Sequence, residues 1–282
     1  MFRQRTGSVV CASCGSLVGV NDDKCYTCGR RNPGLWGFGP VLRRFGNDLG
    51  FVSLVVYGCA ALYTATLLVT LLLGGNLFSG SVFSILGPSN GVLMLFGESG
   101  AVPVFVYGRW WTLLSAAWLH AGALHILFNM MWVRQIGPVV ADLYGAGRMV
   151  IIYTVASIAG FFLSSFMGWY LPIPFFGHGH FTIGASAPIF GLLGAVVYYG
   201  RRSGSSMIRS EALGYAVPLF LMGLFLPGVD NAAHAGGFAG GYLAGRWLDP
   251  LKPERGDHLV MAMVCLVATA LSIIASIVTM LW

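Results

Sequence analysis

Asp230-Asn231-Ala232-Ala233-His234-Ala235-Gly236-Gly237-Phe238-Ala239-Gly240-Gly241 opens a run that, after Asp230, carries no charged residue as far as Gly245. A helix built on it holds one ionisable ring among small side chains. Gly237 and Gly241 follow His234 at i+3 and i+7, and Gly245 extends the same stripe, so a partner backbone can approach beside the imidazole. A second stretch, Gly184-Ala185-Ser186-Ala187-Pro188-Ile189-Phe190-Gly191, places a serine in an equally apolar setting. Taken singly, Ser186 reads as small-residue glue between helices and His234 as a packing histidine. Taken together, they read as a nucleophile and its base, because ionisable groups within membrane spans are rare and tend to be functional.

The composition sets this pair in a membrane. The chain has 282 residues, 56% hydrophobic and 9% charged, against about 25% charged in a soluble domain. Its 40 glycines suit close helix packing. A spanning helix needs about 20 apolar residues. Candidates run over Phe51–Leu73, Ala123–Val140, Met149–Tyr170, Phe181–Tyr199, Ala212–Leu226, Asn231–Trp247 and Leu259–Trp282. The expected fold is an all-α polytopic membrane protein, and no secretory signal is visible at the N-terminus. Of the 16 Lys and Arg residues, all but Arg109 fall before the first span or near the turns on that same side. This asymmetry predicts a cytoplasmic N-terminus and an outer C-terminus. It also gives the net charge of +6 a topological reading, so no nucleic-acid partner is expected.

The outer connection from Gly74 to Leu119 is apolar and aromatic, with Phe78, Phe83, Phe96, Phe105, Trp110, Trp111 and Trp118. Part of it should lie in the outer leaflet against the bundle. At its end stand His120, His125 and Asn129. His125 and Asn129 are i, i+4 on one face, and both can donate hydrogen bonds to a developing oxyanion. A metal site is the rival reading, but the second position is Asn and no acidic base lies between. If Ser186 opens its helix, its amide is a third donor. Pro188 fits the first turn, and Phe190 at i+4 can pack on an imidazole. No carboxylate lies in either helix to orient His234, so a dyad is expected, with no catalytic cofactor.

These motifs, in this order, resemble the rhomboid family of intramembrane serine proteases. The resemblance covers most of residues 51–250. It implies Ser186 as nucleophile and His234 as general base, with His125, Asn129 and the Ser186 amide as oxyanion hole. It implies supporting roles for His120, Gly184, Phe190, Gly237 and Gly241. It implies a six-helix core with the seventh helix as a C-terminal addition, and substrates that are transmembrane segments, with helix 5 and the outer loop gating access. Trp111 matches the tryptophan of the family's Trp-Arg pair, and Gly137 and Gly145 match glycines at the inner end of helix 2. Three positions depart from the pattern: Thr112 for the arginine of the pair, Ala187 for a glycine after the nucleophile, and Ala141 for a glutamate, with Asp142 next to it.

Cys11-x-x-Cys14 and Cys25-x-x-Cys28 form two knuckles, each followed by a glycine, Gly15 and Gly29. Four thiolates suit a closed tetrahedral zinc site, and a module this small needs the metal to fold. Redox dithiols and an iron–sulfur site are the other readings. Cys59 and Cys265 read as packing residues. Arg30, Arg31, Arg43 and Arg44 can meet anionic lipid headgroups. The expected organisation is a cytoplasmic zinc-ribbon-like module over 1–35, a basic linker over 36–50, the catalytic membrane domain over 51–250, and a linker with the seventh helix over 251–282. The expected setting is the bacterial cytoplasmic membrane. The rival functions are a catalytically silent rhomboid-like protein that binds membrane clients, and a transporter, which would place charges on a midplane pathway.

Overall fold

The computed structural model describes residues 3–42, 44, 46–78, 85–171, 179–226 and 228–281. Arg43, Phe83, His178 and Trp282 lie outside them. The first element is a two-stranded antiparallel ribbon, β1 (Ser8–Val10) with β2 (Leu17–Gly19), in which Val9 pairs with Val18. Val9, Val18, Val20, Cys11 and Cys25 make its small core. A 3-10 turn (Leu35–Gly37) and a short helix (Gly39–Leu42) lead to the membrane bundle.

The bundle helices are α1 (Phe51–Leu72), α2 (Ala123–Tyr144), α3 (Ala146–Tyr170), α4 (Ser186–Ser203), α5 (Ser206–Phe225), α6 (Asn231–Trp247) and α7 (Gly256–Leu281). Each expected span has its helix, and the bounds shift. α2 runs on past Pro138 to Tyr144, and α5 begins at Ser206, where Ser205 caps it through the Ile208 N–H. The fourth helix starts at Ser186 and not at Phe181, because Gly184 takes φ +126° and breaks the helical path. Among the described residues α1, α3, α5 and α7 are long and apolar enough to cross a membrane. α2 joins this group if it is counted with the segment Thr112–Trp118, bent against it by 95°. The chain is a mostly helical, polytopic membrane protein with a small cysteine-bearing N-terminal ribbon.

α4 and α6 form the centre. α6 is short, at 17 residues, and presents glycine on two faces. Toward α4, a Cβ on Gly237 would fall 2.1 Å from the Ala187 carbonyl oxygen, and one on Gly241 would fall 2.0 Å from that of Gly191. Toward α3, a Cβ on Gly236 would lie 2.7 Å from the Ala159 carbonyl oxygen, and one on Gly240 would lie 2.5 Å from the Ala159 methyl. Backbones this close exchange dispersion contacts that no larger residue permits. α1, α5 and α7 surround this centre and keep most of their apolar side chains outward, as Leu68, Phe225 and Val264 illustrate. Outward apolar faces suit lipid as the solvent.

The connection between α1 and α2 folds into short pieces: Asn90–Phe96, a wide π turn at Val102–Val106, Thr112–Ser115 and Ala116–Trp118. Val92, Leu93, Phe96 and Trp118 are buried, while Tyr107 and Trp110 stay exposed. Arg109, the one basic residue of this connection, is buried, and its guanidinium donates to the Met94 and Ser276 carbonyls. Trp111 Nε1 donates to Ser276 Oγ, so the loop is fastened to the far end of α7. Thr112 is buried; its hydroxyl donates to the Arg109 carbonyl at 2.7 Å and lies 3.2 Å from Ser99 Oγ, whose own proton can complete that bond, so it serves the loop's own fold.

The glycine contacts yield a paired expectation. Gly241→Ala should destabilise the protein in detergent by about 1–3 kcal/mol, as overpacking does. Gly214→Ala, where nothing lies within 4 Å, should be neutral or slightly stabilising. Thermal unfolding of the two variants side by side checks this.

Candidate functional site

The site is built at the N-terminal ends of α4 and α6. Ser186 is the first residue of α4, and the first bond of the helical ladder is Ile189 N–H to the Ala185 carbonyl, 3.0 Å. The amides of Ser186 and Ala187 therefore stand ahead of the ladder, and Pro188 has none to leave over. The segment before the serine is gripped by the outer connection. Ser99 and Thr182 exchange backbone hydrogen bonds at 3.2 and 2.8 Å, and Gly184 N–H donates to the Ala116 carbonyl at 2.9 Å.

His234 is buried on the first turn of α6. Phe190 stacks on its ring at 4.2 Å between centroids, with 16° between planes. Its Nδ1 lies 3.3 Å from Asn231 Oδ1. With the amide oxygen turned to the ring, as here, the neutral imidazole would carry its proton on Nδ1 and keep the Nε2 lone pair free. Asn231 is thus the side chain that meets the His234 ring; the sequence motif contains it without a role, and the i, i+3 spacing was the available signal. The first turn of α6 is itself pinned. Asp230 Oδ1 accepts the Ala233 N–H at 2.9 Å, and its other oxygen accepts a short hydrogen bond from Ser164 of α3.

His125 faces the serine from α2. A Cβ on Gly184 would lie 2.6 Å from His125 Nε2 and 3.8 Å from Ser186 Oγ, so both atoms border the space that this glycine leaves empty. His125 Nδ1 accepts the Ala121 N–H at 3.2 Å, which puts the ring proton on Nε2, the nitrogen that faces Gly184. Asn129 is buried one turn along and gives one amide proton to the His125 carbonyl at 2.7 Å, leaving its second proton for another acceptor. His120 is buried edge-on to His125 at 5.1 Å. The expected residues from three helices thus converge on one small region, and Gly237 and Gly241 are the contacts that hold α6 against α4.

A family model, the Rhomboid domain, matches residues 107–249. The chain belongs to the rhomboid family. Rhomboid protease GluP of Bacillus subtilis (strain 168) is 32% identical over 166 residues, 58% of this chain and 31% of that protein. RHOMBOID-like protein 4 of Arabidopsis thaliana is 33% identical over 165 residues, 57% of this chain and 40% of that protein. RHOMBOID-like protein 7 of the same plant is 34% identical over 172 residues, 57% of this chain and 50% of that protein. The rhomboid chain described here therefore matches about a third to a half of the length of these relatives.

The second candidate centre lies outside the matched rhomboid region. The sulfurs of Cys11, Cys14, Cys25 and Cys28 lie within 4.8 Å of one another and could hold a metal ion. Gly15 and Gly29 take φ +77° and +73°, which turns each knuckle back on itself. The knuckles repeat one another: Cys11 N–H donates to the Ser16 carbonyl and Cys25 N–H to that of Arg30, both at 2.8 Å. Four thiols this close cannot all ionise together unless a cation sits between them. Burial pushes the Cys28 thiol up to about 12, and the neighbouring sulfurs of Cys14, Cys25 and Cys11 add to that.

One expectation needs correcting. Arg30 does not face lipid: it is buried, and its Nη1 pairs with Glu254 at 3.4 Å. Arg31 and Arg44 are exposed, and His180 of the outer 3–4 loop is exposed too. Cys59 is buried and Cys265 half-buried, as packing residues should be.

Proposed function

We propose that the chain is an intramembrane serine endopeptidase that cuts transmembrane segments of membrane proteins. The observation that carries this reading is the stacking of His234 on Phe190 one turn along from Ser186, with His125 bordering the same space. His234 Nε2 removes the Ser186 proton while Asn231 holds the opposite nitrogen. Ser186 Oγ attacks the scissile carbonyl, and the oxyanion forms against His125 Nε2–H, the second Asn129 amide proton and the Ser186 N–H. The imidazolium then gives its proton to the leaving amine. A water, deprotonated by the same ring, hydrolyses the acyl-enzyme. α5, which exposes most of its length, and the outer connection would gate access for the substrate helix.

The same reading assigns zinc to the cysteine module as a structural metal. Four sulfurs about 2.3 Å from one zinc stand roughly 3.8 Å apart in a tetrahedron. The Cys11–Cys28 and Cys14–Cys25 sulfur pairs are 3.8 and 3.6 Å apart. Zinc would supply charge compensation for four thiolates and the folding energy of the ribbon. Chain organisation follows the sequence reading: module over 1–35, linker over 36–50, catalytic domain over 51–250, and seventh helix after it. The basic residues support a cytoplasmic N-terminus in a bacterial cytoplasmic membrane, where Arg31 and Arg44 are placed to meet anionic headgroups. A catalytically silent client-binding relative is the second reading, favoured by Thr112 and Ala141 standing where the family pattern has charged residues.

Purified protein incubated in liposomes with a single-span substrate tests the main reading. Cleavage should vanish in Ser186→Ala and in His234→Ala, and should fall by about 10²–10³ in Asn129→Ala, as for an oxyanion donor. Cleavage persisting in Ser186→Ala would rule out the mechanism. Asn231→Ala should lower kcat by about tenfold or more with KM little changed, because the base loses its preferred tautomer; an equal loss from general misfolding would appear as a lowered Tm. Elemental analysis should find one zinc per chain, lost in Cys25→Ser. Wild-type protein with free thiols and no metal would contradict the zinc assignment.

A further inference from the structure

The cysteine module touches the bundle through a polar latch that the reading of the site does not use. Glu254, on the α6–α7 loop, is buried between three parts of the chain. Its Oε2 pairs with Arg30 Nη1 at 3.4 Å, and the two side chains are 6% and 1% exposed. Its backbone carbonyl accepts from Ser13 Oγ at 3.3 Å and from Arg30 Nη1 at 3.4 Å. Its Oε1 accepts the Arg148 N–H at 3.0 Å, at the start of α3. The carboxylate fills the corner where α2 turns into α3: a Cβ on Gly145 would fall 2.6 Å from Glu254 Cδ. This is the inner end of α2 at which Ala141 stands in place of the expected glutamate, so a carboxylate reaches that corner from another loop.

Arg148 carries the contact onward. Its guanidinium donates to the carbonyls of Leu248 and Asp249, both at 2.9 Å, and of Lys252 at 2.8 Å. Leu248 is the residue that ends α6. The C-cap carbonyl of the His234 helix and two carbonyls of the loop after it are thus satisfied by an arginine whose backbone N–H is held by Glu254.

Both contacts from the module sit inside the metal-organised knuckles. Ser13 lies between Cys11 and Cys14, and its own N–H donates to Cys11 Sγ at 3.4 Å. Arg30 follows Gly29, and its carbonyl closes the second knuckle through Cys25 N–H. The ribbon has almost no other core, so these two residues hold their places only while the knuckles hold theirs. The latch borders a cleft open to the surface. A cavity of about 530 Å³ lined by Ser13, Arg30, Arg148 and Glu254 lies beside it. Arg30 Nε and Nη2 are buried without hydrogen-bond partners among the described residues. A buried ion pair with incomplete compensation adds little net stability but is sensitive to loss of either partner. Such a contact can release, whereas a packed apolar interface would not.

We propose that metal occupancy of the cysteine module controls the order of the inner end of α6, through Ser13 and Arg30 acting on Glu254 and Arg148. With the metal bound, the module clamps the α2–α3 corner to the α6–α7 loop. Without it, Glu254 loses its counter-charge and the loop loosens beneath the helix that carries His234. The coupling concerns the fold of the inner face and stands apart from the reading of the outer site as a protease.

Hydrogen exchange on the full chain in nanodiscs, read by mass spectrometry, tests this without reference to activity. Zinc-loaded wild type, the same protein after chelation, and zinc-loaded Arg30→Ala are compared. Peptides over 248–255 should exchange roughly tenfold or more faster in the second and third samples, while peptides over 110–119 stay unchanged in all three. Chelating Arg30→Ala should add no further change at 248–255. Exchange at 248–255 that stays at the zinc-loaded rate, while residues 8–30 open on chelation, would overturn the proposal. So would Arg30→Ala behaving as wild type.

Discussion

The constraint on which the site depends is the contact of two helix backbones. Gly237 and Gly241 of α6 meet the carbonyls of Ala187 and Gly191 of α4, with room for no side chain between them. In lipid there is no hydrophobic force to press helices together, so association depends on dispersion and on polar contacts at short range. Everything chemical follows from that approach. Ser186 and His234 each sit on the first turn of their helix, and only a close α4–α6 contact brings two first turns into one site. α3 completes the clamp from the other side through Gly236 and Gly240, and Ser164 pins Asp230 there by a hydrogen bond.

The site then assigns proton positions without a buried carboxylate. Asn231 accepts from His234, and the Ala121 amide donates to His125. One ring is left as an acceptor at Nε2 and the other as a donor at Nε2. The two histidines carry opposite roles because their Nδ1 atoms meet opposite partners. An ionised aspartate would do the same for His234 at a larger desolvation cost this deep in a membrane protein. An amide is the less costly orienting group.

Much of this was legible in the sequence. Seven apolar runs predicted seven helices, because length and composition alone decide what can lie in lipid. Ser186, Phe190, His234 and the glycine stripe were readable because helical spacing fixes which side chains share a face. The boundaries near Ser186 were less so: Gly184 at positive φ ends the preceding extended segment, and an apolar run does not reveal such a break. Glu254 and Arg30 were beyond reach for a different reason. They are 224 residues apart, and each looks like an ordinary surface charge in its own neighbourhood. Only the fold brings them together, and it turns an expected lipid-facing arginine into half of a buried pair. Asn231 stood in plain view within its motif. Its role depended on which ring nitrogen it faced, which spacing narrows but does not decide.

The central claim is that Ser186 is an activated nucleophile, and covalent labelling reads this without any choice of substrate. The protein in detergent is treated with a fluorophosphonate probe, and the modified peptide is identified by mass spectrometry. The account predicts a single adduct on Ser186, absent in Ser186→Ala and strongly diminished in His234→Ala. A folded protein that takes no label on Ser186, or one whose labelling is unaffected by loss of His234, would contradict it.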